Sequence, residues 1–229
     1  MIHDPPLLTI RRGFPRPDPA LVARFAGLPT GWLVDAMDGR GALDHRIRPL
    51  PGLPATLVGV ALTCRCGPAD NLALFGALDV ARPGDVLVAA TDAFTPTCVT
   101  GDLLLGMAAN AGVAGFVTDG LVRDQAGLRG VGMPVFAAGV TPNSPVRNGP
   151  GDVGLPAVLG GVAVAPGDIV AADEDGVVII PLALAEAVLA RIEGIRAAEQ
   201  AMEAKVKAGL VTPDFIAALA AAGRFREIG

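Results

Sequence analysis

Two short stretches of this chain gather residue types suited to handling a small anion: Gly101-Asp102-Leu103-Leu104 and Asp119-Gly120-Leu121-Val122-Arg123-Asp124. In the first, a glycine opens a helical pattern, so unsatisfied backbone N–H groups can meet a carboxylate and the missing side chain permits close approach. In the second, Arg123 offers a planar donor fork to a carboxylate or enolate oxygen. Asp124 can hold Mg²⁺ if waters and substrate complete the octahedron. The same pair also reads as a solvated charge pair after a turn. The apolar strand expected at residues 114–118 favours a ligand, because α/β sheets bind ligands at their carboxyl edges. Asp102 has two readings: it favours the helix dipole, or it holds a water that donates or accepts a proton. Glu199, within an otherwise apolar helical seam, either faces solvent or crosses a subunit boundary to orient metal-bound water.

What the chain lacks narrows the chemistry. Of 229 residues only two are histidines, His3 and His45, and the lysines are Lys205 and Lys207. A Schiff-base lysine in the core, a Ser-His-Asp triad and a histidine-rich zinc site are therefore poorly supported. Cys64, Cys66 and Cys98 lack zinc-ligand spacing and read as buried reduced thiols. Carboxylates, arginines, backbone amides or a hard metal are left to do the work. A net charge of −5 without a basic run argues against nucleic acid. No apolar run reaches the roughly 20 residues of a membrane span, and residues 1–6 lack a secretory pattern. The expectation is a cytoplasmic protein that binds neither nucleic acid nor membrane.

These residues need elements to position them. Short helices are expected at 20–25 and 30–37 after an irregular proline-punctuated stretch at 5–19. A strand at 56–64 is followed by a helix capped by Asp70, a strand at 86–90, a helix at 102–111, and strands at 114–118 and 134–138. This alternation predicts a partly parallel sheet and an α/β fold. Pro166-Gly167-Asp168 echoes Pro83-Gly84-Asp85 as shared turn chemistry. Residues 141–156 read as an ordered loop that covers a site or an interface, or merely connects. A helix at 184–207 carries Val188, Ile192, Ile195, Met202 and Val206 as its seam. Thr212 and Pro213 then cap and open a final helix that packs with it.

The order and spacing of Asp70-Asn71, residues 83–88, 101–104, 115–124, 134–136, 160–168 and 175–178 resemble the class II 4-hydroxy-4-methyl-2-oxoglutarate aldolase family. That family includes oxaloacetate decarboxylases and the RraA-like ribonuclease regulators. The resemblance implies an RraA-like swivelling β/β/α domain, with a catalytic core at 1–182 and a C-terminal helical extension at 183–229 in the same domain. It implies trimers or hexamers with sites between subunits, a small 2-oxo acid substrate, and Mg²⁺ or Mn²⁺ as cofactor.

By motif position, Asp124 would help hold the metal, Arg123 would bind and polarise the 2-oxo acid, and Gly101 with the amides of Leu103 and Leu104 would hold its carboxylate. Asp102 would position a proton-transfer water, and Glu199 would reach the metal through water from the adjacent subunit. The implied reaction cleaves 4-hydroxy-4-methyl-2-oxoglutarate or 4-carboxy-4-hydroxy-2-oxoadipate to pyruvate through a metal-stabilised enolate, with oxaloacetate decarboxylation at the same site. Leu121, bulkier than the residue often found in relatives, bears on substrate size. The competing implication is a protein-binding regulator of ribonuclease activity, for which the long C-terminal extension is the less expected feature.

Overall fold

The computed structural model describes residues 4 and 6–228; His3 lies outside them. The chain runs β1 (Leu8–Ile10), α1 (Pro19–Ala23), α2 (Thr30–Ala36), β2 (Arg48–Pro49), β3 (Leu57–Arg65), α3 (Leu72–Leu78), β4 (Asp85–Ala90), β5 (Cys98–Thr100) and α4 (Asp102–Asn110). It continues through β6 (Gly115–Thr118), β7 (Leu121–Val122), α5 (Gln125–Val131), β8 (Val135–Ala137), β9 (Gly139–Val140) and β10 (Gly151–Val153). It ends with β11 (Ala157–Leu159), β12 (Val162–Val164), β13 (Ile169–Asp173), β14 (Gly176–Ile180), α6 (Ala185–Lys207) and α7 (Asp214–Ala221).

Strands β3, β4, β6 and β8 are parallel neighbours at the heart of a nine-stranded mixed sheet. The alternation of their side chains builds two cores. Leu62, Cys64, Leu87, Ala89, Phe116 and Val135 face α3, α4 and α5, which contribute Leu74, Leu105 and Leu128. Ala61, Val86, Val88, Val117 and Phe136 face the opposite way, onto Leu159 and Val164 of the β11–β12 hairpin and Val170 and Ile179 of β13–β14. All six residues of β4 are buried, as expected of a parallel strand covered on both faces. The result is an α/β protein with a helical layer, the main sheet and a second β layer. The other face of β13–β14 forms a third core with α2 and the first half of α6, through Leu33, Val188 and Ile192.

Several expected elements are corrected. The stretch at 5–19 contains β1, and the loop at 141–156 contains β10, which pairs parallel with β1 and antiparallel with β3. Both are three residues long and take their stability from cross-strand partners, so they leave little periodic signal. The final helix starts at Asp214, with no side-chain cap from Thr212, and none of its residues is fully buried. Along α6 the apolar seam is buried at Val188 and Ile192, but Met202 is 44% exposed and Val206 56%. The two Pro-Gly-Asp turns do share their chemistry: Arg82 N donates to Asp85 at 2.9 Å and Ala165 N to Asp168 at 2.9 Å.

Candidate functional site at the ends of three short parallel strands

The sequence placed Arg123 and Asp124 at the edge of the strand now numbered β6. In the structure they follow β7, the middle strand of a separate parallel sheet ordered β5-β7-β9. Between β6 and β7, Asp119 turns inward. Its carboxylate accepts from Thr91 N at 2.7 Å, Thr91 Oγ1 at 3.0 Å and Ala93 N at 3.0 Å, so it is a structural brace. The small sheet then aims three chain segments the same way. Gly101 and α4 follow β5, Arg123 and Asp124 follow β7, and residues 141–149 follow β9. Ladder-like bonds from Arg123 N to Thr100 O and from Thr141 N to Val122 O, each 3.0 Å, hold those exits side by side. They open into a cleft of about 330 Å³, at the carboxyl ends of parallel strands.

Gly101, Asp102, Leu103, Leu104, Arg123 and Asp124 all line this cleft. Gly101 is the N-cap of α4 and no side chain caps that helix, so its first-turn amides face the cleft without a side-chain acceptor. A Cβ at residue 101 would collide with Asp124 Oδ2 and come within 3.1 Å of Arg123 Cγ. Glycine there is the condition for the carboxylate to lie over the helix start. Arg123 Nε donates to Asp124 Oδ2 at 2.9 Å, and Arg123 Nη1 donates to Ser144 Oγ. The two bonds fix the plane of the guanidinium, while Arg123 and Asp124 keep side-chain exposures of 37% and 42%. The Asp102 carboxylate lies against Gly127 of α5, where a Cβ would overlap it.

Asp124 itself has left-handed backbone, with φ 60° and ψ 44°. A non-glycine residue in that region is uncommon and is held by its surroundings, a pattern found at functional sites. Burial pushes the Cys98 thiol up; Arg123 opposes that and Asp124 adds to it. The thiol therefore stays protonated near neutral pH, which suits neither nucleophilic nor ligand chemistry. Cys64, Cys66 and Cys98 are all buried and free, as the sequence predicted.

Among the described residues no group of three or more His, Cys, Asp or Glu side chains is arranged to hold a metal ion. That donor set forms no closed cage among the described residues. It is compatible with a hard cation that keeps most of its water and takes one carboxylate, because Asp124 Oδ1 has no partner among the described residues.

Glu199 does not line the cleft; Oε2 accepts from Trp32 Nε1 across the α2–α6 contact. Leu121 does not line it either, and packs toward Gly139 instead. Asp70, expected as a simple helix cap, does more. Its Oδ1 accepts from Leu72 N at 2.8 Å, and its Oδ2 accepts from Asn148 N at 2.5 Å and Gly149 N at 2.9 Å. It thereby ties the 141–149 segment to the start of α3. Among the other lining residues, Asn71, Ser144 and Arg147 are polar groups to which the sequence gave no part in the cleft. The available signals were the Asp70-Asn71 pair and the loop that could cover a site.

This architecture defines an α/β protein of the β/β/α type whose cleft gathers Arg123, Asp124 and the uncapped start of α4. The chain belongs to the RraA-like family, since the family model described as Aldolase/RraA matches residues 30–179. That stretch contains every cleft residue named above and ends before α6.

The chain is 36% identical over 182 residues to a Halalkalibacterium halodurans protein provisionally named 4-hydroxy-4-methyl-2-oxoglutarate aldolase. The match covers 80% of this chain and 86% of that protein. Among solved structures, Streptomyces coelicolor RraAS2 is described as an unusual member of the RNase ES inhibitor RraA family. It is 27% identical with a TM-score of 0.74, over 83% of this chain and all of that one. The RNA-processing inhibitor RraA of Thermus thermophilis is 32% identical with a TM-score of 0.61, over 67% of this chain and 93% of its own.

Proposed function

We propose that the chain is a divalent-metal-dependent carbon–carbon lyase. It would cleave 4-hydroxy-4-methyl-2-oxoglutarate or 4-carboxy-4-hydroxy-2-oxoadipate to pyruvate, and decarboxylate oxaloacetate at the same site. The observation that carries the reading is the stacking of the Arg123–Asp124 pair over Gly101 at the uncapped start of α4. The aldolase name of the Halalkalibacterium halodurans relative supports it. Asp124 would hold Mg²⁺ or Mn²⁺, with water and substrate oxygens completing the shell. When bound, the metal supplies Lewis-acid stabilisation of negative charge on the substrate oxygens.

The chain's own groups do the rest. The amides of Leu103 and Leu104 receive the carboxylate next to the keto group. Arg123, oriented by Asp124 and Ser144, donates to the keto oxygen and meets the charge that grows on it as the C3–C4 bond breaks. Asp102 orients a water that accepts the 4-hydroxyl proton; C4 becomes a carbonyl carbon and the C3–C4 electron pair passes into the pyruvate enolate. Return of a proton to C3 gives pyruvate. Oxaloacetate reaches the same enolate by losing carbon dioxide instead. No step needs a lysine or histidine.

Self-association belongs to this proposal. Leu103 is 80% exposed and Met107 42% at the cleft, and Phe215 of α7 is 60% exposed. A second copy in a trimer or hexamer would cover such apolar surface. The extension at 183–229, treated as part of the same domain, would bring Glu199 toward a neighbour's metal-bound water. A cytoplasmic setting completes the reading; among the described residues no helix is long and apolar enough to cross a membrane.

A coupled pyruvate assay with both acids tests the reaction. Pyruvate formation should be abolished by EDTA, restored by Mg²⁺ or Mn²⁺, and reduced more than about 100-fold in Asp124→Ala. Full activity in Asp124→Ala would remove the metal assignment, and a single-chain mass by light scattering would remove the oligomer. The second reading, a regulator, has the two inhibitor-named structures behind it. Absence of turnover with both acids, together with tight binding to a ribonuclease, would establish that reading instead.

A further inference from the structure

Of the two bonds that fix the Arg123 guanidinium, one goes to the adjacent residue, Asp124, and the other to a hydroxyl on a different segment. The Nε bond alone leaves the fork free to swing about it, and the Nη1 bond to Ser144 Oγ supplies the second point that sets its plane. Ser144 lies on the exposed stretch after β9, so that stretch must itself be held for the hydroxyl to serve. Asn143, which does not line the cleft, holds it. Its Nδ2 donates to Pro96 O at 2.9 Å, its backbone O accepts from Cys98 N at 2.9 Å, and its backbone N donates to Thr141 Oγ1 at 3.4 Å.

Pro96 has a fixed place in turn. Just before it, Asp92 and Ala93 both have left-handed backbone, with φ 56° and 55°. Two such non-glycine residues in succession persist only where the surroundings impose them. Here the carboxylate of Asp119, which is 7% exposed, accepts from Thr91 N, Thr91 Oγ1 and Ala93 N, and Phe94 N donates to Thr91 O at 3.2 Å. A line of support therefore runs from buried Asp119 through residues 91–96 to Asn143, and from there to Ser144 and the guanidinium.

We propose that Asn143 is a positioning residue for Arg123: it hangs the stretch after β9 from the Pro96 carbonyl, so that Ser144 meets Arg123 Nη1 and the donor fork is set before charge develops on the keto oxygen. The role rests on the lyase reading and deepens it. A fork fixed in advance favours the transition state over the bound acid, so Asn143 acts on kcat rather than on KM. It acts through Ser144, and its effect disappears when that hydroxyl is absent.

A double-mutant cycle on the full chain with Mg²⁺ tests this, with oxaloacetate as substrate. Asn143→Ala and Ser144→Ala should each lower kcat by about fivefold, with KM held within about twofold and the thermal midpoint near wild type. The double variant should be no slower than the slower single one, because both changes break the same link. Asn143→Gln, which keeps the amide donor on a longer arm, should recover part of the loss. Undiminished kcat in Asn143→Ala, losses that multiply in the double variant, or a rise in KM at constant kcat would each overturn the role. A second readout needs no turnover: the nitrogen-15 order parameter of Arg123 Nε, assigned with Arg123→Lys, should fall from about 0.8 in wild type toward about 0.6 in Asn143→Ala. If the wild type turns over neither acid, the lyase reading has failed, and this signal alone decides; an order parameter equal in both chains overturns the positioning.

Discussion

Asp124 is the residue on which the candidate site turns, and what makes it available is the absence of a side chain at Gly101. A methyl group there would meet Asp124 Oδ2 head-on and press on Arg123 Cγ at 3.1 Å. The backbone of Gly101, at φ −146°, is open to alanine, so Gly101→Ala should fold. It should nevertheless displace the carboxylate, and catalysis tolerates little displacement. The expected outcome is a thermal midpoint close to wild type and turnover reduced more than about tenfold; undiminished turnover would contradict the packing argument. At this scale the sequence was informative where chemistry and local geometry coincide, as in Gly101, Arg123 and Asp124. It was silent where a side chain acquires meaning only through distant partners. Asn71 and Arg147 are brought together by a bridge between residues 70 and 146 that no local pattern announces.

The strands that position the site are among the shortest in the molecule. Strands β5, β7 and β9 span three, two and two residues, too few to register as alternation, and only their mutual pairing makes them a sheet. The sequence therefore attached the arginine and aspartate to the apolar strand β6 before them, one sheet away from the strands they follow. The loop beyond β9 owes its order to Asp70, which is 6% exposed and accepts three backbone N–H bonds. Asp70→Ala strips those donors of their acceptor and should cost about 1–3 kcal/mol of stability. Because Pro145 and Arg147 of the cleft wall ride on this loop, the variant should raise KM more than it lowers kcat. Steady-state kinetics beside a denaturation curve would check both, and an unchanged KM would free the loop from any part in binding.

For the whole molecule, the alternating strands and helices foretold the parallel centre, and the period-two pattern of β3, β4 and β6 separates the two cores as layering requires. The second β layer was harder to see, since β11 to β14 pair among themselves and with β3 through antiparallel contacts rather than helical crossovers. The C-terminal arm was expected as two packed helices that could reach a neighbouring subunit; no residue of α7 is fully buried, and Phe215 is exposed, as is Val211 before it. Its partner in the proposal is another copy. The fold is shared by relatives named for aldol cleavage and for inhibition of RNA processing, so only the site's chemistry separates the two.

The central claim is that this cleft stabilises a pyruvate enolate with Asp124 and Arg123. Proton NMR in deuterium oxide measures that directly by following the methyl signal of pyruvate. With Mg²⁺ or Mn²⁺ the wild-type chain should exchange those protons for deuterium, and Asp124→Ala and Arg123→Ala should each slow the exchange more than about 100-fold. Absence of exchange by the metal-supplied wild type, or exchange that persists undiminished in Asp124→Ala, would contradict the account.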